Sequence, residues 1–98
     1  MADFDSLQFD WDDDKARRYL REHGVSFQEA ESVFRDPLAA VYQDKRHSVS
    51  EERYFLLGQS SSGRFVLVVY SLRRTIIRII SARRPTRREQ YVYEHPSS

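Results

Sequence analysis

Two apolar runs lie close together in the chain, Phe65 to Tyr70 and Ile76 to Ile80, separated by Ser71-Leu72-Arg73-Arg74-Thr75. Both are short and rich in Val, Ile, Phe and Tyr, which predicts strands rather than helices. The polar link has hairpin length, so the expected arrangement is an antiparallel pair at the centre of a sheet. The first run has no polar residue, and both faces of that strand therefore want cover. The second carries Arg78, and further arginines stand just outside the runs at Arg64, Arg73, Arg74, Arg83 and Arg84.

Upstream, Leu7-Gln8-Phe9-Asp10-Trp11 alternates as a half-buried strand does. Asp12, Asp13 and Asp14 can cap a helix through Lys15, Ala16, Tyr19 and Leu20, and Gly24 ends it after His23. His23 at that helix end complements the dipole, a structural role. Ser26 and Glu29 have capping-box spacing for a second helix, with Val25 placed to staple onto Ala30. Ala30, Val33 and Phe34 give it an apolar side, and Asp36-Pro37 closes it. Leu38 to Tyr42 reads as a short strand, and Tyr54 to Leu57 as another. Gly58 to Gly63 is the turn into the central strand. Pro85 suits the first turn of a last helix over about Thr86 to Tyr93. The order β-α-α-β-β-β-β-α predicts an α+β fold, a small antiparallel sheet with helices grouped against one face.

Length and composition narrow the class. The 98 residues are read as one domain, with 1–6 and 95–98 frayed. The absence of cysteine excludes a disulfide framework and thiolate metal sites. No apolar stretch approaches the ~20 residues of a membrane helix, and the acidic start is no signal peptide, so a cytoplasmic protein is expected. The net charge of +1 conceals an asymmetry: residues 1–52 hold 13 acidic and 7 basic side chains, residues 53–98 hold 2 and 9. All nine cations of the second half are Arg, the side chain that grips phosphate with a two-pronged fork. Two readings follow. Either the two halves neutralise one another in the fold, or the arginines form a phosphate-binding face.

Acid–base candidates are few. In His47-Ser48-x-x-Glu51-Glu52-Arg53 a base, an acid and a cation stand just before a strand. On composition alone, a surface loop of ordinary charged residues is the commoner outcome. Arginines cannot act as bases, but Arg53, Arg64, Arg73, Arg78, Arg83 and Arg84 can hold a phosphate and stabilise charge in a transition state. Phosphate-loop and dinucleotide motifs are absent, since the only glycines are Gly24, Gly58 and Gly63. His47 and Glu51 lack a second ligand cluster, so no metal or other cofactor is expected. Tyr91 and Tyr93 can stack on bases or fill the core.

Taken together, Phe9-x-Trp11-Asp12 with Lys15, His23-Gly24-Val25-Ser26-Phe27 with Ala30, and Val33-Phe34-x-Asp36-Pro37 resemble the BrnT family of bacterial type II toxins. The likeness continues through Asp44-x-x-His47-Ser48-x-x-Glu51-Glu52-Arg53, Gly58, Gly63-Arg64, Val68-Val69-Tyr70, Arg78-Ile79-Ile80-Ser81-Ala82-Arg83, and Glu89 with Tyr93. Each piece is weak alone, and the set in this order is specific. The chain departs from the pattern at Arg84-Pro85, where the family usually continues with a basic and then a small residue. The resemblance implies a RelE-like fold and a metal-independent ribonuclease that arrests translation. It also implies a BrnA-like antitoxin that covers the toxin and carries the DNA-binding domain, so that DNA is contacted only through that partner.

On this footing the expected catalytic set is His47, Glu51, Arg53, Arg64 and Arg83. Glu51 or His47 takes the proton, Arg64 and Arg83 stabilise the phosphorane, and Arg53 supports. Arg73, Arg78, Arg84 and Tyr93 are expected to bind RNA, and Arg87, Arg88 and Tyr91 to meet the antitoxin. A module of another class, binding RNA or protein on the arginine face without cleaving, remains the alternative.

Overall fold

The computed structural model describes residues 7–46 and 51–96. In chain order it contains β1 (Gln8–Asp10), α1 (Asp13–His23), α2 (Phe27–Val33), β2 (Ala40–Asp44), β3 (Arg53–Gln59), β4 (Phe65–Arg73), β5 (Ile76–Arg83) and α3 (Arg87–Glu94). This is the order the apolar pattern predicts. The strands form a single five-stranded sheet in the order β1-β5-β4-β3-β2.

Local chemistry sets the helix ends. Asp12 caps α1, its carboxylate accepting from the Lys15 amide at 3.1 Å. Gly24 ends the helix with φ 70°, a left-handed conformation that costs a glycine little, and its amide donates to Leu20 O. Ser26 caps α2 by accepting from the Glu29 amide at 2.9 Å. The helix then places Phe27, Ala30 and Val33 wholly inside the core. It ends earlier than Asp36-Pro37 suggests: the amides of Phe34, Arg35 and Asp36 donate three residues back, in tight turns.

Both α1 and α2 pack on one face of the sheet, over Leu56, Val66, Val68, Tyr70, Ile77, Ile79 and Ala82. The aromatic rings of Phe9, Phe34 and Tyr70 meet edge to face within that layer.

Three expectations need correction. The sheet is mixed, because β1 runs parallel to β5, with Phe9 opposite Ile77. Alternation tells which face a strand buries and says nothing about its direction. The helices are not grouped on one face either. α3 lies across the opposite face, where Tyr93 packs edge to face on Phe65 with ring centroids 5.4 Å apart and donates from its hydroxyl to Leu38 O at 2.7 Å. This follows from β4 being apolar on both faces: α1 and α2 cover one, and Phe65 and Leu67 on the other need α3. Finally, Thr86 rather than Pro85 opens α3, in a complete capping box with Glu89.

The hairpin link is also shorter than the sequence suggests. β4 continues to Arg73, and the turn is made at Arg74, whose φ is 58°. Between β4 and β5 the register steps, Val69 facing Ser81 while Tyr70 faces Ile79. Among the described residues no helix is long and apolar enough to cross a membrane.

Candidate functional site

Residues directly opposite one another on neighbouring strands share a face of the sheet. On the α3 side, one row of such residues crosses every strand: Asp44 on β2, Arg53 on β3, Ser71 on β4, Arg78 on β5 and Asp10 on β1. Arg78 Nη1 donates to Asp10 Oδ1 at 3.1 Å. Ser71 is fully buried, and Asp44, two strands away in the row, is buried as well. Just beyond the row, the half-buried Glu51 accepts from Arg73, Oε2 lying 3.3 Å from Nη2. One end of this face therefore gathers Glu51, Arg53, Arg73 and Arg78. His47, the other expected acid–base residue, lies outside the described residues. It belongs to the connection between β2 and β3, whose two ends are at this same row.

The other two expected catalytic arginines stand elsewhere. Arg83 faces Leu67, four residues along β4 from Ser71, or about 13 Å at the strand rise. Its guanidinium forks onto Glu89 of α3, Nη1 to Oε1 at 2.9 Å and Nη2 to Oε2 at 2.8 Å. Glu89 Oε1 also accepts from the Thr86 amide at 2.7 Å, so one carboxylate both caps α3 and ties it to β5. Hydrogen bonding from Arg83 is the main cause holding the Glu89 carboxyl down to about 2. The same bond raises the Arg83 pKa.

Arg64 is farther still, seven residues from Ser71 and about 23 Å along the strand. It serves the α2 side of the sheet. Its Nε and Nη2 donate to Glu29 at 2.8 and 2.6 Å, and Nη2 also reaches Gly24 O at 2.8 Å. Glu29 further accepts from the hydroxyls of Ser60 and Ser62 at 2.6 and 2.7 Å. With four donors on it, chiefly Arg64, the Glu29 carboxyl is held down to about 2. Glu29 thus does not reach back to complete a capping box with Ser26, as its spacing suggests. It locks the start of α2 to the β3–β4 turn.

The remaining expected residues are Arg84, just past β5, and those of α3. Arg84 Nε donates to Phe65 O at 2.9 Å. Tyr93 fastens α3 to Leu38 and Phe65, and burial raises its hydroxyl pKa. Tyr91 is exposed and stacks on His95 at 4.1 Å, and Arg87, four residues earlier on the helix, is exposed as well. Under α3 runs an open cleft of about 340 Å³, lined by Tyr42, Phe55, Leu57 and Leu67 from the sheet and by Arg88 and Val92 from the helix.

Part of the charge asymmetry of the chain is neutralised internally. Arg64, Arg73 and Arg78 of the second half meet Glu29, Glu51 and Asp10 of the first. The neutralising reading therefore accounts for those three contacts. Asp10, Asp44, Ser71 and Glu29 are the side chains that sequence reasoning passed over at this level. Asp44 stood in the motif with His47, and Ser71 carried a signal as the polar residue that ends the apolar run of β4. Among the described residues no three His, Asp or Glu side chains gather as metal ligands.

The fold and this face define a small α+β protein that concentrates arginine and carboxylate groups on one side of a mixed sheet. The chain belongs to the BrnT family: the profile of the ribonuclease toxin BrnT of type II toxin–antitoxin systems matches residues 11–89. The crystal structure of the Brucella abortus ribonuclease toxin BrnT is similar, with a TM-score of 0.66 at 19% sequence identity, over 84% of this chain and 100% of that one. At that identity the likeness is one of fold. No curated protein sequence matches the chain. Family membership makes the protein a ribonuclease toxin of a type II system, with RNA as its target and an antitoxin as its partner.

Proposed function

We propose that this toxin cleaves RNA without a metal ion, by attack of a ribose 2′-hydroxyl on the adjacent phosphate, and so arrests translation. The observation that carries the reading is the gathering of Glu51 with Arg53, Arg73 and Arg78 at one end of the α3-side face. A carboxylate can accept the proton of the attacking hydroxyl, while arginine forks hold the phosphate and meet the charge that develops on it. His47, which lies in sequence between β2 and β3, gives a proton to the leaving oxygen, or exchanges roles with Glu51. Arg83 and Arg84 extend the RNA path toward α3. Arg64 contributes by holding α2 to the β3–β4 turn rather than by touching phosphate.

In this reading a BrnA-like antitoxin lies over the α3-side face, meeting Arg87, Arg88 and Tyr91, and blocks phosphate access. DNA binding by the pair belongs to that partner. The test is incubation of purified protein with RNA and with DNA of matched sequence in excess EDTA. Cleavage of RNA alone is expected, since DNA lacks the attacking hydroxyl. Equal cutting of DNA, or cutting only after magnesium is restored, overturns the mechanism. Intact RNA that binds nonetheless makes the chain a binding module.

A further inference from the structure

We infer that Ser71 is the floor of an oxyanion seat, its hydroxyl donating to a backbone phosphate that Arg53 and Arg78 grip from either side. The ligand rests on the ribonuclease reading above; the geometry stands apart from it. Ser71 occupies the middle of the row that crosses all five strands, with Arg53 directly opposite on β3 and Arg78 directly opposite on β5. Paired Cβ atoms of this kind are about 5 Å apart, so two arginine stems flank one hydroxyl at the centre of the sheet.

The hydroxyl itself is hard to explain by folding. Ser71 is wholly buried, and its Oγ has no hydrogen-bond partner among the described residues. A buried hydroxyl left unbonded opposes folding, and the middle of a central strand ordinarily favours Val, Ile or Thr. Serine here is buried with its hydroxyl unbonded. Its two cross-strand neighbours are the side chains best suited to phosphate. Arg78 is aimed from its far side, since Asp10 at the sheet edge takes one Nη1 bond. A guanidinium has five N–H donors, so most of its fork is left for a ligand. Asp10 is then a positioning residue. Ser71 is wholly buried in the free protein, so a phosphate reaches its hydroxyl by displacing the side chains that cover it.

The test uses the full chain and a 2′-O-methyl RNA oligonucleotide, which cannot be cut through its 2′ oxygen. Binding is followed by fluorescence anisotropy at several salt concentrations for the wild type, Ser71→Ala, Arg78→Ala and the double variant, with a melting curve for each. Ser71→Ala is expected to weaken binding about tenfold or more, as loss of a hydrogen bond to a charged group does. Its slope of log affinity against log salt should match the wild type, because no charge is lost, and its Tm should be equal or higher. Arg78→Ala should lower that slope by about 1. In the double variant the two losses should sum to less than their separate values, since the groups share one phosphate. Arg78→Lys, which keeps the charge and loses the fork, replaces Arg78→Ala if that variant melts early.

Binding by Ser71→Ala within about twofold of wild type overturns the seat, as does an equal loss with and without Arg78. A lowered Tm with undiminished binding also overturns it, by making the hydroxyl a structural group. Cleavage of unmodified RNA is measured alongside. If the seat behaves as expected while RNA stays intact, the ribonuclease reading fails and the seat stands.

Discussion

Replacing Glu29 by Gln removes the charge from a largely buried and heavily bonded carboxylate. Four hydrogen bonds converge on it, two from Arg64 and one each from Ser60 and Ser62. The carboxyl is held from an ordinary 4.5 down to about 2. At about 1.4 kcal/mol for each tenfold change in proton affinity, this corresponds to roughly 3 kcal/mol of folding stability at neutral pH. The Glu29 side chain is 14% exposed and that of Arg64 34%, so solvent screens part of it. The expected loss is about 1 to 3 kcal/mol. For a domain of this size, each kcal/mol moves Tm by about 4 to 8 °C. Because the folded state lowers the pKa, the contribution is present above pH 4.5 and is lost as pH falls toward 2. Melting curves of wild type and Glu29→Gln from pH 7 to pH 2 should therefore differ by at least about 4 °C at neutral pH and converge at the acid end. A gap under about 2 °C at pH 7, or one that persists undiminished at pH 2, refutes the clamp.

Glu89→Gln should cost less, about 1 kcal/mol or under, since its pair with Arg83 is more than a third exposed on the arginine side. Its stabilisation is also lost between pH 4.5 and about 2, and hydrogen exchange should quicken in the Tyr91 to Glu94 amides while those of β4 keep their protection. Gly58→Ala should destabilise by about 1 to 3 kcal/mol in denaturant melts. A Cβ there would stand 2.8 Å from Ala39 Cβ and 2.8 Å from Asp36 Oδ2, and an unchanged midpoint would show that the β2 approach yields freely.

Sequence signals that act within a few residues carried the element order. Asp12, Gly24 and Ser26 each bond the backbone three or four residues away, and those partners are fixed once the helix forms. Direction and long-range pairing were not legible in the same way. The alternation of Leu7 to Trp11 is equally consistent with parallel or antiparallel pairing, and β1 proves parallel to β5. Glu29 illustrates the limit at the site. Its spacing from Ser26 describes a capping box, yet its side chain goes to Arg64, 35 residues away. The expected catalytic arginines share a residue type and a region of sequence, and strand geometry then spreads them over about 23 Å. What places Arg53 beside Arg78 is the register of three strands, and no local pattern encodes that register.

The parallel pairing of β1 with β5 also bears on when this molecule comes into being. Phe9 cannot find its partner until Ile77 has been synthesised, and Asp10 cannot orient Arg78 before then. Contacts between such distant parts of a chain are closed late and slowly in folding, because the intervening loop must first be ordered. α1 and α2 can form early from local contacts, but they have no finished surface to rest on. The last strand completes the arginine row and the hydrophobic layer in one step. The row that sets Arg53 and Arg78 on either side of Ser71 therefore exists only once β5 has docked.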